Sequence, residues 1–103
     1  MSLTIIITSD VQGRYRGFLG STMLELAPGI YISPRMNEAV RERVWDVISG
    51  WHGELNRGSL TIIWRDKTAA GGVAIKQCGE PPKVLVELDG LLLARREIKS
   101  GTD

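Results

Sequence analysis

Residues 3–20, LTIIITSDVQGRYRGFLG, decide how the rest of the chain is read. Leu3 to Thr8 is β-branched and nearly all apolar, the composition of a central strand covered on both faces. From about Val11 the pattern changes. Tyr15, Phe18, Leu19, Thr22, Met23 and Leu26 recur at spacings of three and four, which predicts a helix over 11–26 with one buried face. Gly17 and Gly20 each weaken such a helix by about 1 kcal/mol relative to Ala. They therefore point to close packing or to close approach by a ligand. Pro28-Gly29 marks the end of the helix.

The chain outward from this opening keeps alternating. GIYIS (29–33) reads as a short strand. Asn37 caps a second helix with Glu38 in its first turn, and Val40, Val44, Val47, Ile48 and Trp51 form its apolar stripe. GELNRG (53–58) is a turn. SLTIIWR (59–65) is a strand with Leu60, Ile62 and Trp64 on one side, and VAIKQC (73–78) is another with Val73, Ile75 and Gln77 on one side. GEPP (79–82) breaks the chain. KVLVEL, Asp89-Gly90 and LLLAR then form a hairpin, because Asp-Gly between apolar runs favours the tight hairpin turn. The order predicts an α+β ferredoxin-like plait with two helices on one face of a mixed sheet. A single domain spans 1–96, including the hairpin 83–96, and 97–103 is a polar tail.

Composition narrows the chemistry. Cys78 is the only cysteine and His52 the only histidine, which excludes an intramolecular disulfide and a Cys/His zinc site and fits a reducing cytoplasm. The net charge of +1 gives no global push toward nucleic acid or a membrane, so any polyanion site has to be a local cluster. MSLTIIIT is too short for a secretory leader, and no stretch approaches the roughly 20 apolar residues of a membrane span. At 103 residues, a small core leaves apolar surface that a second copy can share, so a homodimer is expected.

The local cluster is in SDVQGRYRG (9–17). Asp10 has two readings: a cap accepting from the N–H of Gln12 or Gly13, or a ligand for a hard cation such as Mg²⁺. No second acid or histidine lies nearby, so catalysis by Asp10 needs two protomers. Arg14 and Arg16 sit in the first turns of a helix, where backbone N–H groups attract anions, and Gly13 and Gly17 let a phosphodiester backbone come close. Trp45, Trp51 and Trp64 have two readings, stacking platforms for single strands or structural residues, and Trp51 and Trp64 fit the core pattern. His52 ends the second helix, where a cationic ring suits the dipole.

TSDVQGRYRGFLG, MLELAPGIYIS, VRERVWDVISG, LTIIWRD and LVELDGLLLARR, taken in order, resemble the CRISPR adaptation protein family Cas-two, in its type I-E branch. The resemblance covers about residues 1–96. It implies a ferredoxin-like homodimer that bridges two dimers of the integrase Cas-one. It also implies a double-stranded DNA ligand, the prespacer, which that assembly inserts into the CRISPR array. Arg14 and Arg16 match positions that touch the prespacer backbone, and Gly17 beside them is a candidate contact because it lets that backbone come close. Lys83 is a further candidate DNA contact. Leu91, Leu92, Leu93 and Arg95 are expected to meet the partner. The resemblance also implies a second activity, a Mg²⁺-dependent endonuclease acting on RNA or duplex DNA through paired first-strand acids. Two registers for that acid remain open, Asp10 and Ser9. Set apart from the family, a small dimeric α+β regulatory or assembly module is the third reading.

Overall fold

The computed structural model describes residues 2–79 in full and residues 84–88 and 91–95 as strand backbone. The elements run β1 (Ser2–Ser9), α1 (Gly13–Thr22), β2 (Leu24–Ala27), β3 (Ile30–Met36), α2 (Glu38–Glu54), β4 (Ser59–Arg65), a short 3₁₀ turn (Ala70–Gly72), β5 (Val73–Gly79), β6 (Val84–Leu88) and β7 (Leu91–Arg95).

Helix α1 is shorter than its apolar spacing predicts. The Met23 N–H closes on the Leu19 carbonyl at 2.8 Å, and the chain then leaves as the edge strand β2. Leu24 and Leu26 point outward and are 63% and 59% exposed, while Glu25 between them is half-buried. This is a period of two, which a helix cannot satisfy. Pro28-Gly29 is accordingly the turn of a β2–β3 hairpin. Gly29 has φ +80°, and a Cβ there would lie 2.6 Å from the Thr8 carbonyl oxygen. The close approach lets the Thr8 N–H donate to the Gly29 carbonyl at 2.7 Å.

Five strands form one sheet in the order β2-β3-β1-β4-β5. Every adjacent pair is antiparallel, whereas the element order in the sequence predicts a mixed sheet. The reason is topological. β1 and β2 are the two strands joined by α1, and β3 inserts between them, which is the split arrangement of a ferredoxin-like plait. β5 adds to the outer edge of β4. The predicted C-terminal hairpin forms as a separate two-stranded sheet, with Val84 opposite Arg95 and Leu88 opposite Leu91. The tail 97–103 lies outside the described residues.

Register sorts the side chains into two rows. Glu25, Tyr31, Ile6, Ile62 and Lys76 lie opposite one another across the five strands. Their middle members join Tyr15 and Leu19 of α1 and Val44, Trp45 and Ile48 of α2 in one core. Ile6, Ile48, Leu60 and Ile62 are fully buried, each contributing on the order of 1.5–3 kcal/mol. The next row is Leu24, Ile32, Ile5, Ile63 and Ile75, again one residue from each strand. It lies on the face away from the helices, where Ile5, Ile32, Ile63 and Ile75 are half-buried and Leu24 is exposed.

Asn37 caps α2 as expected, its side-chain oxygen accepting from the Val40 N–H at 2.8 Å. The helix buries Val44, Trp45, Ile48 and His52, so the stripe is turned relative to the expected one. Val40 is left exposed, and Trp51 is half-buried against α1. His52 Nε2 lies 3.1 Å from the Gly58 carbonyl, an acceptor, so this nitrogen carries the proton.

Candidate nucleic-acid interface

The end of β1 and the start of α1 meet at a sharp bend. Asp10 adopts φ 56°, the left-handed region in which Asp is among the tolerated residues. It is not the helix cap. Gln12 holds that position in an extended conformation and makes no side-chain capping bond. The Asp10 carboxylate turns outward instead, and Arg57, from the loop before β4, donates to its Oδ1 at 3.1 Å. A glycine shapes this bend from below: Gly58 has φ +78°, and a Cβ there would overlap the carbonyls of Ser9 and Asp10.

Arg14 and Arg16 both reach the surface, from successive sides of α1. The Arg14 guanidinium lies 4.4 Å over the Trp51 ring and donates to Glu54 Oε1 at 3.3 Å. Tyr15 and Phe18 contact the same ring edge-on, with centroids at 5.2 and 5.5 Å. Trp51 therefore fixes the helix and the arginine together. Arg16 uses only its Nε, donating to Glu25 Oε1 at 3.1 Å, and its side chain is 77% exposed. Glu25 is itself held, its other oxygen accepting from the Gly29 N–H at 3.3 Å. Burial pushes the Tyr15 and Tyr31 phenols above their ordinary range, with Arg14 pulling against it at Tyr15 and Glu25 adding to it at Tyr31.

Gly13, Gly17 and Gly20 fall on one side of α1, and a Cβ at any of them would meet nothing within 4 Å. The helix thus presents bare backbone to solvent. Beside it an open cleft of ≈ 430 Å³ is lined by Ser9, Asp10, Gln12, Arg16, Glu25 and Gly29, among others. The site brings Asp10, Arg14, Arg16 and Gly17 into one neighbourhood. It also includes Arg57, Glu25, Glu54 and Trp51, which in the sequence read as parts of a turn, a helix and the core. Only their pairing in three dimensions reveals them.

Electrostatics limit what the site can do. Arg14, Arg16 and Arg57 are each matched by one carboxylate. All three arginines are open to solvent, and such pairs are worth about 0–1 kcal/mol each, so a phosphate can exchange for a carboxylate. A Mg²⁺ fits poorly within one protomer. Among the described residues no three His, Cys, Asp or Glu side chains gather, and the Asp10 carboxylate faces a guanidinium. Ser9 is exposed at the last position of β1.

Lys83 lies outside the described residues. Leu91, Leu92, Leu93 and Arg95 lie on β7, whose side chains are not described. Among the described residues no helix is long and apolar enough to cross a membrane. The family model for CRISPR-associated protein (Cas_Cas2CT1978) matches residues 3–93, a span that holds the five-stranded sheet almost whole, both helices and the arginine-bearing start of α1, and the chain belongs to that family.

Proposed function

We propose that the protein is a homodimeric scaffold for spacer acquisition of the type I-E kind, holding double-stranded prespacer DNA between dimers of the integrase Cas-one. One observation carries the reading. Arg14 and Arg16 stand exposed on a glycine-bearing helix whose outer side is open, and the apolar sheet face is on the other side of the molecule. Two copies joined through the Leu24–Ile32–Ile5–Ile63–Ile75 row would bury apolar surface and leave both α1 helices outward. The basic pair is then present twice, once on the outer side of each protomer. Arg16 keeps its terminal N–H groups free of the Glu25 contact, so it can grip a phosphate without first giving up its anchor. Such contacts hold a duplex without reading its sequence.

The test is duplex binding and spacer insertion with the partner integrase. Arg14→Ala/Arg16→Ala is expected to weaken both while leaving the dimer intact. Unchanged insertion by that double variant would remove α1 from the DNA path.

A further inference from the structure

The α1 site is charge-balanced, so the excess positive charge of the surface has to be sought elsewhere. It lies at the opposite end of the sheet. An open cleft of ≈ 540 Å³ is formed there by Leu3, Pro34, Arg35, Arg65, Asp66 and Lys67, with Ser2 and Gly72 at its edge. A neighbouring groove shares Ser2, Arg65 and Asp66 and adds Glu38, Arg41 and Trp64. Among the described side chains, Arg35, Arg41, Arg65 and Lys67 thus face two carboxylates, Glu38 and Asp66. The excess of two exceeds the net +1 of the entire chain.

Each cation is put there by a distinct local cause. Ser2 pairs with Met36 and Thr4 with Ser33, so Pro34 and Arg35 together oppose Leu3. This bulge accommodates a proline that cannot donate to the ladder, and it re-aims the arginine beside it. Arg65 is the last residue of β4. Lys67 follows in a turn held by Asp66, whose Oδ1 accepts from the Thr68 N–H at 2.9 Å and the Thr68 hydroxyl at 2.7 Å. The one described carboxylate of the larger cleft is therefore engaged by its own turn. Arg41 is held over the Trp64 ring at 4.3 Å. None of Arg35, Arg65 and Lys67 forms an ion pair with a described residue, and all three are exposed.

We infer that this cleft is a second grip for the phosphate backbone of a nucleic-acid duplex, separate from α1. The inference rests on the duplex-binding reading above and deepens it. An open groove carrying several exposed cations that no described carboxylate pairs suits a ligand that presents a row of negative charges. The two grips stand at opposite ends of β1, seven residue steps or about 23 Å apart along the strand, with Leu3 and Arg65 at the rim of the helix-free face, one same-face step beyond Ile5 and Ile63.

The experiment compares four full-length proteins, the parent, Arg14→Ala/Arg16→Ala, Arg35→Ala/Arg65→Ala/Lys67→Ala and Asp66→Asn, in binding a mixed-sequence DNA duplex over a range of salt. The triple variant is expected to bind at least about tenfold more weakly, with a slope of log K against log salt shallower by about two to three. Asp66→Asn keeps its turn acceptor, removes a negative charge, and is expected to bind more tightly. Circular dichroism and thermal melting of each variant separate a lost grip from a lost fold. Parental affinity and parental slope in the folded triple variant would overturn the cleft, even where that variant loses capture of an acidic protein partner. A weakened triple variant beside an unaffected Arg14→Ala/Arg16→Ala would instead keep the cleft and overturn the α1 grip.

Discussion

Arg57 donates to the Asp10 carboxylate at 3.1 Å across 47 residues of sequence, tying the bend after β1 to the loop before β4. The pair is solvated on both sides, 58% and 68% exposed, so it contributes less than about 1 kcal/mol. The backbone matters more than the ion pair, because Asp10 occupies the left-handed region. Asn tolerates that conformation, whereas a β-branched residue does not. Urea unfolding is expected to rank Asp10→Asn near the parent, Asp10→Ala below it by about 1 kcal/mol, and Asp10→Val lowest. A ranking with Asn lowest would mean that the carboxylate, not the backbone, matters. The same Asp10→Asn protein checks the endonuclease alternative. RNA or duplex cleavage that needs Mg²⁺ and disappears in this variant would require Asp10 residues of two protomers acting together.

Much of the fold was legible because period and hydrophobicity agree. β1, α2 and β4 each carry an unambiguous pattern, and the Asn37 cap follows from residue type alone. β2 was not legible. Leu26 completes a helical spacing from Leu19 and Met23, so four residues of edge strand hide in the tail of a helix. Asp10 misled for a related reason. An acid just before a helix usually caps it, and here the bend around Gly58 takes that carboxylate away. The site's arginines were visible as a cluster in sequence. The second cleft was not, since Arg35, Arg65 and Lys67 are ordinary surface cations until a bulge and a turn bring them together.

Gly17 separates helix stability from ligand contact. A Cβ there meets nothing within 4 Å, so Gly17→Ala is expected to stabilise the protein by up to about 1 kcal/mol. If a duplex backbone lies against this side of α1, the same methyl weakens duplex binding. Opposite signs in melting temperature and DNA affinity are the expected outcome. A rise in both would place the duplex elsewhere.

Gly58 is the converse case. Its φ of +78° and the overlap of a Cβ with the Ser9 and Asp10 carbonyls leave no room for a side chain. Its own carbonyl also receives His52. Gly58→Ala is expected to cost at least about 2 kcal/mol, read as a fall in melting temperature of about 10 °C. A shift of only a degree or two would mean that the bend relaxes freely.

The Asp66 turn carries a pH signature. Hydrogen bonds from the Thr68 hydroxyl and then the Thr68 N–H hold the Asp66 carboxyl below its ordinary value of 3.8. A lowered folded-state value means that the turn's stabilisation is full above the ordinary range and is lost as pH falls through the lowered one. Thr68→Val removes the larger cause. Its Asp66 carboxyl resonance is expected to titrate closer to the ordinary value, and the acid side of its stability profile should flatten. An unmoved titration would assign the shift to other groups.

In the proposed dimer the helix-free sheet face is the contact that brings a second pair of Arg14 and Arg16 into the particle. Ile7 is 38% exposed and Leu24 63% exposed on that face, so replacing either takes little from the core that Ile6 and Ile62 build on the other side. Across a twofold axis a single substitution appears twice in the interface. Ile7→Glu places two like charges in an apolar contact, each desolvated without a partner. Sedimentation equilibrium is expected to show a dimer for the parent and a folded monomer for Ile7→Glu, with Leu24→Glu intermediate because its strand is at the sheet edge. The monomer should then bind duplex with a shallower salt slope, because each particle carries one pair of these arginines instead of two. A dimer that survives both substitutions would place the interface on another face, and the doubling of Arg14 and Arg16 would need a different geometry.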